Sequence, residues 1–154
     1  MIGLINRAIA GVAAILVLAV GLPASAQDNI RVGVAAEPYP PFSSQDASGK
    51  WVGWEVDLMD AICKEMQANC ELVATAWDGI IPALTSKKID IIFTSMSITD
   101  ERKQVIDFSD KYYNTPAVII GPKDQKYGIK KSDLSGKIIG VQISTIHQNY
   151  VQKY

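Results

Sequence analysis

The sequence predicts an α/β fold built on a mainly parallel sheet, and three observations carry that reading. Strand-like runs alternate with helical patterns across short links between residues 30 and 93. The run Ile89 to Phe93 is apolar except at Asp90, as expected of a parallel strand buried on both faces. From Glu55 to Gln67 the apolar positions Leu58, Met59, Ile62, Cys63 and Met66 follow helical spacing and form one buried stripe.

In chain order, residues 1–26 read as a secretory signal. Arg7 supplies a positive start, Ala8 to Leu22 an apolar run, and Ala24-Ser25-Ala26 the small residues of a cleavage site. The competing reading is a transmembrane anchor. The run is short for a span of about 20 residues, and Pro23 before a small-residue site favours cleavage after Ala26. That leaves an exported, soluble protein whose simplest location is a bacterial periplasm. Ile30 to Val34 is a first strand, followed by the Pro-rich turn Glu37 to Phe42 and a polar surface loop, Ser43 to Lys50. After the 55–67 helix comes a strand from Glu71 to Ala76. Asp78 is placed to cap a helix running to about Lys87, with Ile80, Ile81 and Leu84 on one face.

Beyond Asp110 the pattern changes. Ala117 to Ile120 and Ile138 to Ile143 read as strands, separated by the mostly polar stretch Lys123 to Gly136. Ser144 or Thr145 is placed to cap a final helix. A strand–helix unit of this kind starts a second domain without finishing it.

Composition narrows the function classes. Apolar residues at 48% and charged residues at 20% exclude wholesale disorder. With 15 basic and 16 acidic residues of both signs interspersed, nothing points to nucleic acid. The only cysteines are Cys63 and Cys70, late in the helix and at the opening of the next strand. Export permits a disulfide between them, and two buried free thiols are the alternative. A metal site ranks below both readings, since the single His147 lies far along the chain.

In parallel sheets, ligands collect beyond the carboxyl ends of the strands. The segment after Phe93 runs Thr94-Ser95-Met96-Ser97-Ile98-Thr99-Asp100-Glu101-Arg102. Hydroxyls, helix-start amides and one guanidinium converge there, as the binding of a carboxylate requires. Arg102 also sits in a first helical turn, where it opposes the helix dipole. The structural alternative is a Thr99 N-cap with Arg102 paired to Asp107 on the surface. Tyr39 and Trp77 follow the first and second strands on the same rim, either as core or as flat walls for a ligand side chain. Trp51 and Trp54 are expected to pack.

These residues carry a resemblance. Ile30-Arg31-Val32-Gly33 with Tyr39-Pro40-Pro41-Phe42, then Val52 to Leu58, Asp78 to Leu84, Lys88-Ile89-Asp90 and Ser95 to Arg102 occur in the order and register of the family 3 extracellular solute-binding proteins. The chain most resembles the periplasmic histidine and lysine–arginine–ornithine binding members, which share a cysteine pair at the spacing of Cys63 and Cys70.

The resemblance implies a type II periplasmic binding protein, a two-lobed Venus flytrap. Residues 27–115 would form the first lobe and 116–154 the incomplete start of the second. Such a protein, a monomer without cofactor, metal or catalytic residue, closes on a polar amino acid and delivers it to the permease of an ABC importer. By matching positions Arg102 clamps the ligand carboxylate, Ser95 and Ser97 add hydrogen bonds with Thr94 in the same ligand-binding set, and Tyr39 and Trp77 sandwich the side chain. Thr145 matches a carboxylate-binding threonine, although Ser144-Thr145-Ile146 replaces the usual Gly-Thr-Thr. Glu37 is the carboxylate nearest to the Asp of basic-ligand members and favours an arginine, lysine, ornithine or histidine class of ligand. The second-lobe Asp that holds the ammonium lies beyond Tyr154. Two other classes compete: a periplasmic cyclohexadienyl (prephenate or arogenate) dehydratase, and the sensory input domain of a receptor. No paired-carboxylate or nucleophile–base constellation favours the enzyme.

Overall fold

The computed structural model describes residues 28–153, so the expected signal segment 1–26 lies outside the described residues. In chain order its strands and helices are β1 (Asn29–Ala35), β2 (Ser44–Gln45), β3 (Trp51–Val52), α1 (Trp54–Glu65), β4 (Asn69–Thr75), α2 (Ile80–Thr85), β5 (Ile91–Ile92), α3 (Asp100–Lys103), α4 (Lys131–Leu134) and α5 (Ile146–Lys153), with a 3₁₀ turn at Trp77–Gly79. β1 runs down the middle of a three-stranded sheet of order β4-β1-β5. Both of its pairings are parallel, with Val32 opposite Leu72 and Ile91, and Gly33 opposite Val73 and Ile92. Val32 to Ala35 are all buried, the continuous burial of a central parallel strand.

Neighbouring positions of a strand face opposite sides, and the sheet is covered on both. On one side Val32 packs with Met59 and Cys63 of α1, joined by Ile30, Cys70, Leu72 and Phe93. On the other, Ile80 and Ala83 of α2 pack with Ile89, joined by Val73, Ile92 and Met96. Gly33 permits that second contact, because a Cβ there would clash with Ile89 Cδ1.

The 89–93 run differs from expectation. Regular strand is confined to Ile91–Ile92, and although Ile89 is buried, Ile91 is 41% exposed. β5 pairs with β1 over two residues and is an edge of the sheet among the described residues. Asp90, the polar exception in the run, grips Arg31 of β1. Arg31 Nε and Nη2 donate to its two carboxylate oxygens at 2.9 and 2.7 Å, and the Arg31 backbone N–H adds a third bond at 2.8 Å. These bonds hold the Asp90 carboxyl down at about 2.

Asp78 does not cap α2. It lies within the 3₁₀ turn, and α2 starts after Gly79 without a side-chain cap. The helix also stops short of Lys87, whose φ of 59° turns the chain. The polar loop is closed by a small β2–β3 hairpin. The strands expected at 117–120 and 138–143 are absent among the described residues. Ile120 is 91% exposed and Ile138 fully so. A strand needs a neighbour to take its backbone N–H and C=O groups, and apolar composition cannot substitute for one. α5 does form, and Thr145 is its cap: the Gln148 N–H donates to Thr145 Oγ1 at 3.1 Å.

Cys63 and Cys70 form a disulfide that ties the last turns of α1 to the start of β4. Gln67, at a φ of 55°, reverses the chain between them. Closing so short a loop in the unfolded chain removes about 2.5 kcal/mol of entropy. Reduction is therefore expected to lower unfolding stability by about that amount, read as a lower urea midpoint at unchanged slope. An unchanged midpoint would show that the bridge adds no stability.

Candidate functional site

The carboxyl ends of β1, β4 and β5 lead into three segments on one rim: the Pro-rich turn, the 3₁₀ turn beginning at Trp77, and Thr94 to Arg102. Thr94 is buried and faces the sheet, its Oγ1 accepting the Ala35 N–H at 3.2 Å. That bond extends β1 by one hydrogen bond and fixes where the loop departs. Ser95 then takes a left-handed φ of 51°, which costs a non-glycine residue roughly 1–3 kcal/mol.

A buried carboxyl holds Ser95 in that turn. Glu55 of α1 is 1% exposed, and its Oε1 accepts the Ser95 N–H at 2.8 Å and the Ser95 hydroxyl at 2.7 Å. The Tyr112 hydroxyl donates to the same oxygen. Burial, and then this bond to Glu55, push the Tyr112 phenol well above its ordinary 10, so it persists as a donor. The Tyr112 ring stacks on Trp54 and Phe93 at 6.0 and 5.4 Å. Glu55 is placed by the docking of α1 on the Pro-rich turn, where the Trp54 and Glu55 N–H groups donate to Pro41 and Phe42 carbonyls at 2.9 and 3.0 Å. Gly53, at a φ of 131°, is required there, because a Cβ would strike the Phe42 carbonyl. Glu55 Oε2 and Ser43 Oγ are buried without a hydrogen-bond partner among the described residues. Residues Ser43 and Glu55 border one tight void with Val34, Met59 and Phe93 that leaves no space for a water molecule.

Arg102 is the centre of the rim. Thr99 caps α3, accepting the Arg102 N–H at 3.2 Å, as the structural alternative proposed. Its side chain does not pair with Asp107. Instead Nη1 donates to the Ser97 carbonyl at 2.8 Å and Nη2 to the Ser144 carbonyl at 2.9 Å. The guanidinium lies over the Trp77 ring, 5.6 Å from its centroid, and the Trp77 indole N–H donates to the same Ser144 carbonyl at 3.1 Å. These bonds use two of the five guanidinium N–H donors and leave three for another acceptor. Desolvation lowers the Arg102 pKa, but a guanidinium remains charged throughout the physiological range. A half-buried cation with spare donors, flanked by an indole face, suits a planar anion such as a carboxylate.

The other expected residues fall around this centre. Glu37 is exposed and accepts the Trp77 N–H at 3.4 Å, which places a carboxylate at the foot of the indole. Thr145 is buried, donates to the Gln142 carbonyl at 2.7 Å and caps α5 directly after Ser144. Ser97 contributes its carbonyl to Arg102. Tyr39 stands apart from Trp77: its ring stacks on Phe42 at 5.0 Å. Trp54 packs as expected, edge-on to Phe42 and stacked on Tyr112.

The model of the bacterial extracellular solute-binding proteins, family 3, matches residues 30–152. The chain belongs to that family. It is 45% identical over 135 residues to the L-arginine-binding protein of Pseudomonas aeruginosa, an alignment that covers 87% of this chain and 51% of that protein. A solved ancestral arginine-binding protein bound to arginine superposes with a TM-score of 0.76 at 40% identity, over 82% of this chain and 56% of that one. A point mutant of the arginine-bound domain 1 of TmArgBP, from T. maritima, superposes with a TM-score of 0.52 at 44% identity. It covers 55% of this chain and 65% of that chain. The chain spans about half the length of the curated relatives it matches.

Three features of this family 3 chain escaped the sequence reading. The Ser144 carbonyl is backbone and has no residue signature. Tyr112 lies in a stretch without periodicity. Glu55 did leave a signal: it stands four residues before Met59 and eight before Cys63, on the apolar stripe itself. A carboxyl on a buried stripe needs donors, and the first turn of α1 brings it under the β5 exit where they are found.

Proposed function

We propose that this chain is the first lobe and the opening of the second of a periplasmic substrate-binding protein that serves an ABC importer for basic amino acids. In this reading residues 1–26 are a cleaved export signal, residues 27–115 one lobe and 116–154 the start of the other. Permease subunits in the membrane receive the ligand. The single observation that carries the reading is Arg102, half-buried at the end of a parallel strand, braced over Trp77 and retaining unused donors. Those donors take the ligand α-carboxylate, with Ser97 beside them and Thr94 and Ser95 shaping the loop. Trp77 and Tyr39, both on the first-lobe rim, are the two flat walls for the ligand side chain. Thr145 brings the start of α5 to the same point. Glu37, at the foot of Trp77, favours a cationic side chain, because an anionic one would meet it across a desolvated gap. The arginine-bound relatives support both the ligand class and the binding role.

Thermal-shift screening of the two-lobed protein tests the reading. Arginine, lysine, ornithine or histidine at a hundred times its dissociation constant is expected to stabilise the fold by about 2.7 kcal/mol. Stabilisation by glutamate or glutamine alone would remove the basic-ligand assignment and leave Glu37 as a surface residue.

A further inference from the structure

We infer that Glu55 is a positioning residue of the ligand loop: through one buried oxygen it holds Ser95 in its left-handed turn and thereby aims Ser97 and Arg102, without touching ligand. The inference rests on the binding role proposed above. Three features carry it. Glu55 Oε1 gathers the Ser95 N–H, the Ser95 hydroxyl and the Tyr112 hydroxyl. Among the described residues no cation pairs with the carboxyl, and no N–H or O–H reaches Oε2, so all of its hydrogen bonding goes to the loop and to Tyr112. A carboxyl kept in an apolar layer of α1 for packing alone would be replaceable by Leu at no cost to the rim. Finally, Ser95 is strained at the position where the chain leaves the buried Thr94 and turns toward Arg102. Both Ser95 bonds to Glu55 oppose relaxation of that turn.

The arrangement has a second consequence. Tyr112, clamped between Trp54 and Phe93, lies in the segment that leads out of the first lobe in the proposed division. Glu55 therefore joins the ligand loop and the exit segment through a single atom. The Ser95 hydroxyl is directed at Glu55, so a bound carboxylate is left to Arg102 and the hydroxyl of Ser97.

The test uses three substitutions in the two-lobed protein, with L-arginine as the probe and calorimetry as the readout. Glu55→Leu keeps the volume and removes the acceptor; it is expected to weaken arginine binding at least tenfold. Glu55→Gln keeps an oxygen for Ser95 and is expected to stay within threefold of wild type. Tyr112→Phe removes one donor at a residue outside the ligand contacts. It is expected to weaken binding three- to tenfold alone and not at all in the Glu55→Leu background. A readout without ligand accompanies these: amide hydrogen exchange across residues 95–102 is expected to rise at least tenfold in Glu55→Leu and to hold in Glu55→Gln. Unchanged exchange in folded Glu55→Leu overturns the inference. Should that variant not fold, wild-type affinity in Tyr112→Phe overturns it instead. A wild-type protein that ignores all basic amino acids would overturn the binding role and leave the exchange result to decide the loop.

Discussion

Arg102→Ala in the two-lobed protein is expected to weaken arginine binding at least a hundredfold, a loss of about 2.7 kcal/mol or more. Removing one member of a desolvated charge pair typically costs 2–5 kcal/mol, because the other charge stays buried without its partner. Here the substitution also frees the Ser97 carbonyl, leaves the Ser144 carbonyl to the Trp77 indole alone and uncovers the Trp77 ring, so the walls of the site loosen together with its cation. Arg102→Lys is expected to recover little. A lysine ammonium offers three donors at one point and cannot bridge both carbonyls while gripping a carboxylate with two prongs. Calorimetry on both variants, with unfolding curves to confirm that the lobe is intact, checks the assignment. Affinity within threefold of wild type in Arg102→Ala would remove the clamp from Arg102.

The second large effect concerns the division of the site. Residues 27–154 alone are expected to bind arginine at least a hundredfold more weakly than the two-lobed protein, again about 2.7 kcal/mol or more. Closure of two lobes supplies contacts from both sides and excludes water from each. The segment 111–143 holds no strand, and Ile119, Ile120, Ile138 and Ile143 stand exposed in it, so the second half of a cleft is not built. Binding is expected to be weak and still measurable, since Glu37, Trp77 and Arg102 all lie within residues 27–115. Equilibrium dialysis of labelled arginine against both proteins decides. Equal affinities would mean that the first lobe suffices and that closure adds nothing.

The elements legible in the sequence share one property: their pattern is contained within a few residues of chain. The strand at Ile30–Val34, the helix from Glu55 and the strand from Glu71 form as β1, α1 and β4. Of the expected stripe, however, only Met59 and Cys63 are buried, while Ile62 and Met66 are exposed because nothing among the described residues packs on that flank of α1. The candidate site was legible for a similar reason. Thr94 to Arg102 is one short run after an apolar strand, and strand order alone places Trp77 on the same rim. The 117–120 and 138–143 runs have comparable apolar patterns and form no strand, because a ladder is decided by a partner that local composition does not name. β5 is short for a related reason, its pairing being limited to two residues of β1.

The sequence by itself determined the α/β class, the three rim segments and the cation at their centre, because hydrophobic period and loop position are properties of neighbours in the chain. Only the tertiary structure decided what each polar group touches. Glu55 meets Ser95 across 40 residues and Tyr112 across 57, and Arg102 meets Ser144 across 42. A buried carboxyl or guanidinium must find donors or acceptors wherever the fold brings them, and that requirement carries no fixed spacing. The shape of the loop therefore came from packing, and its chemistry from the residues it contains.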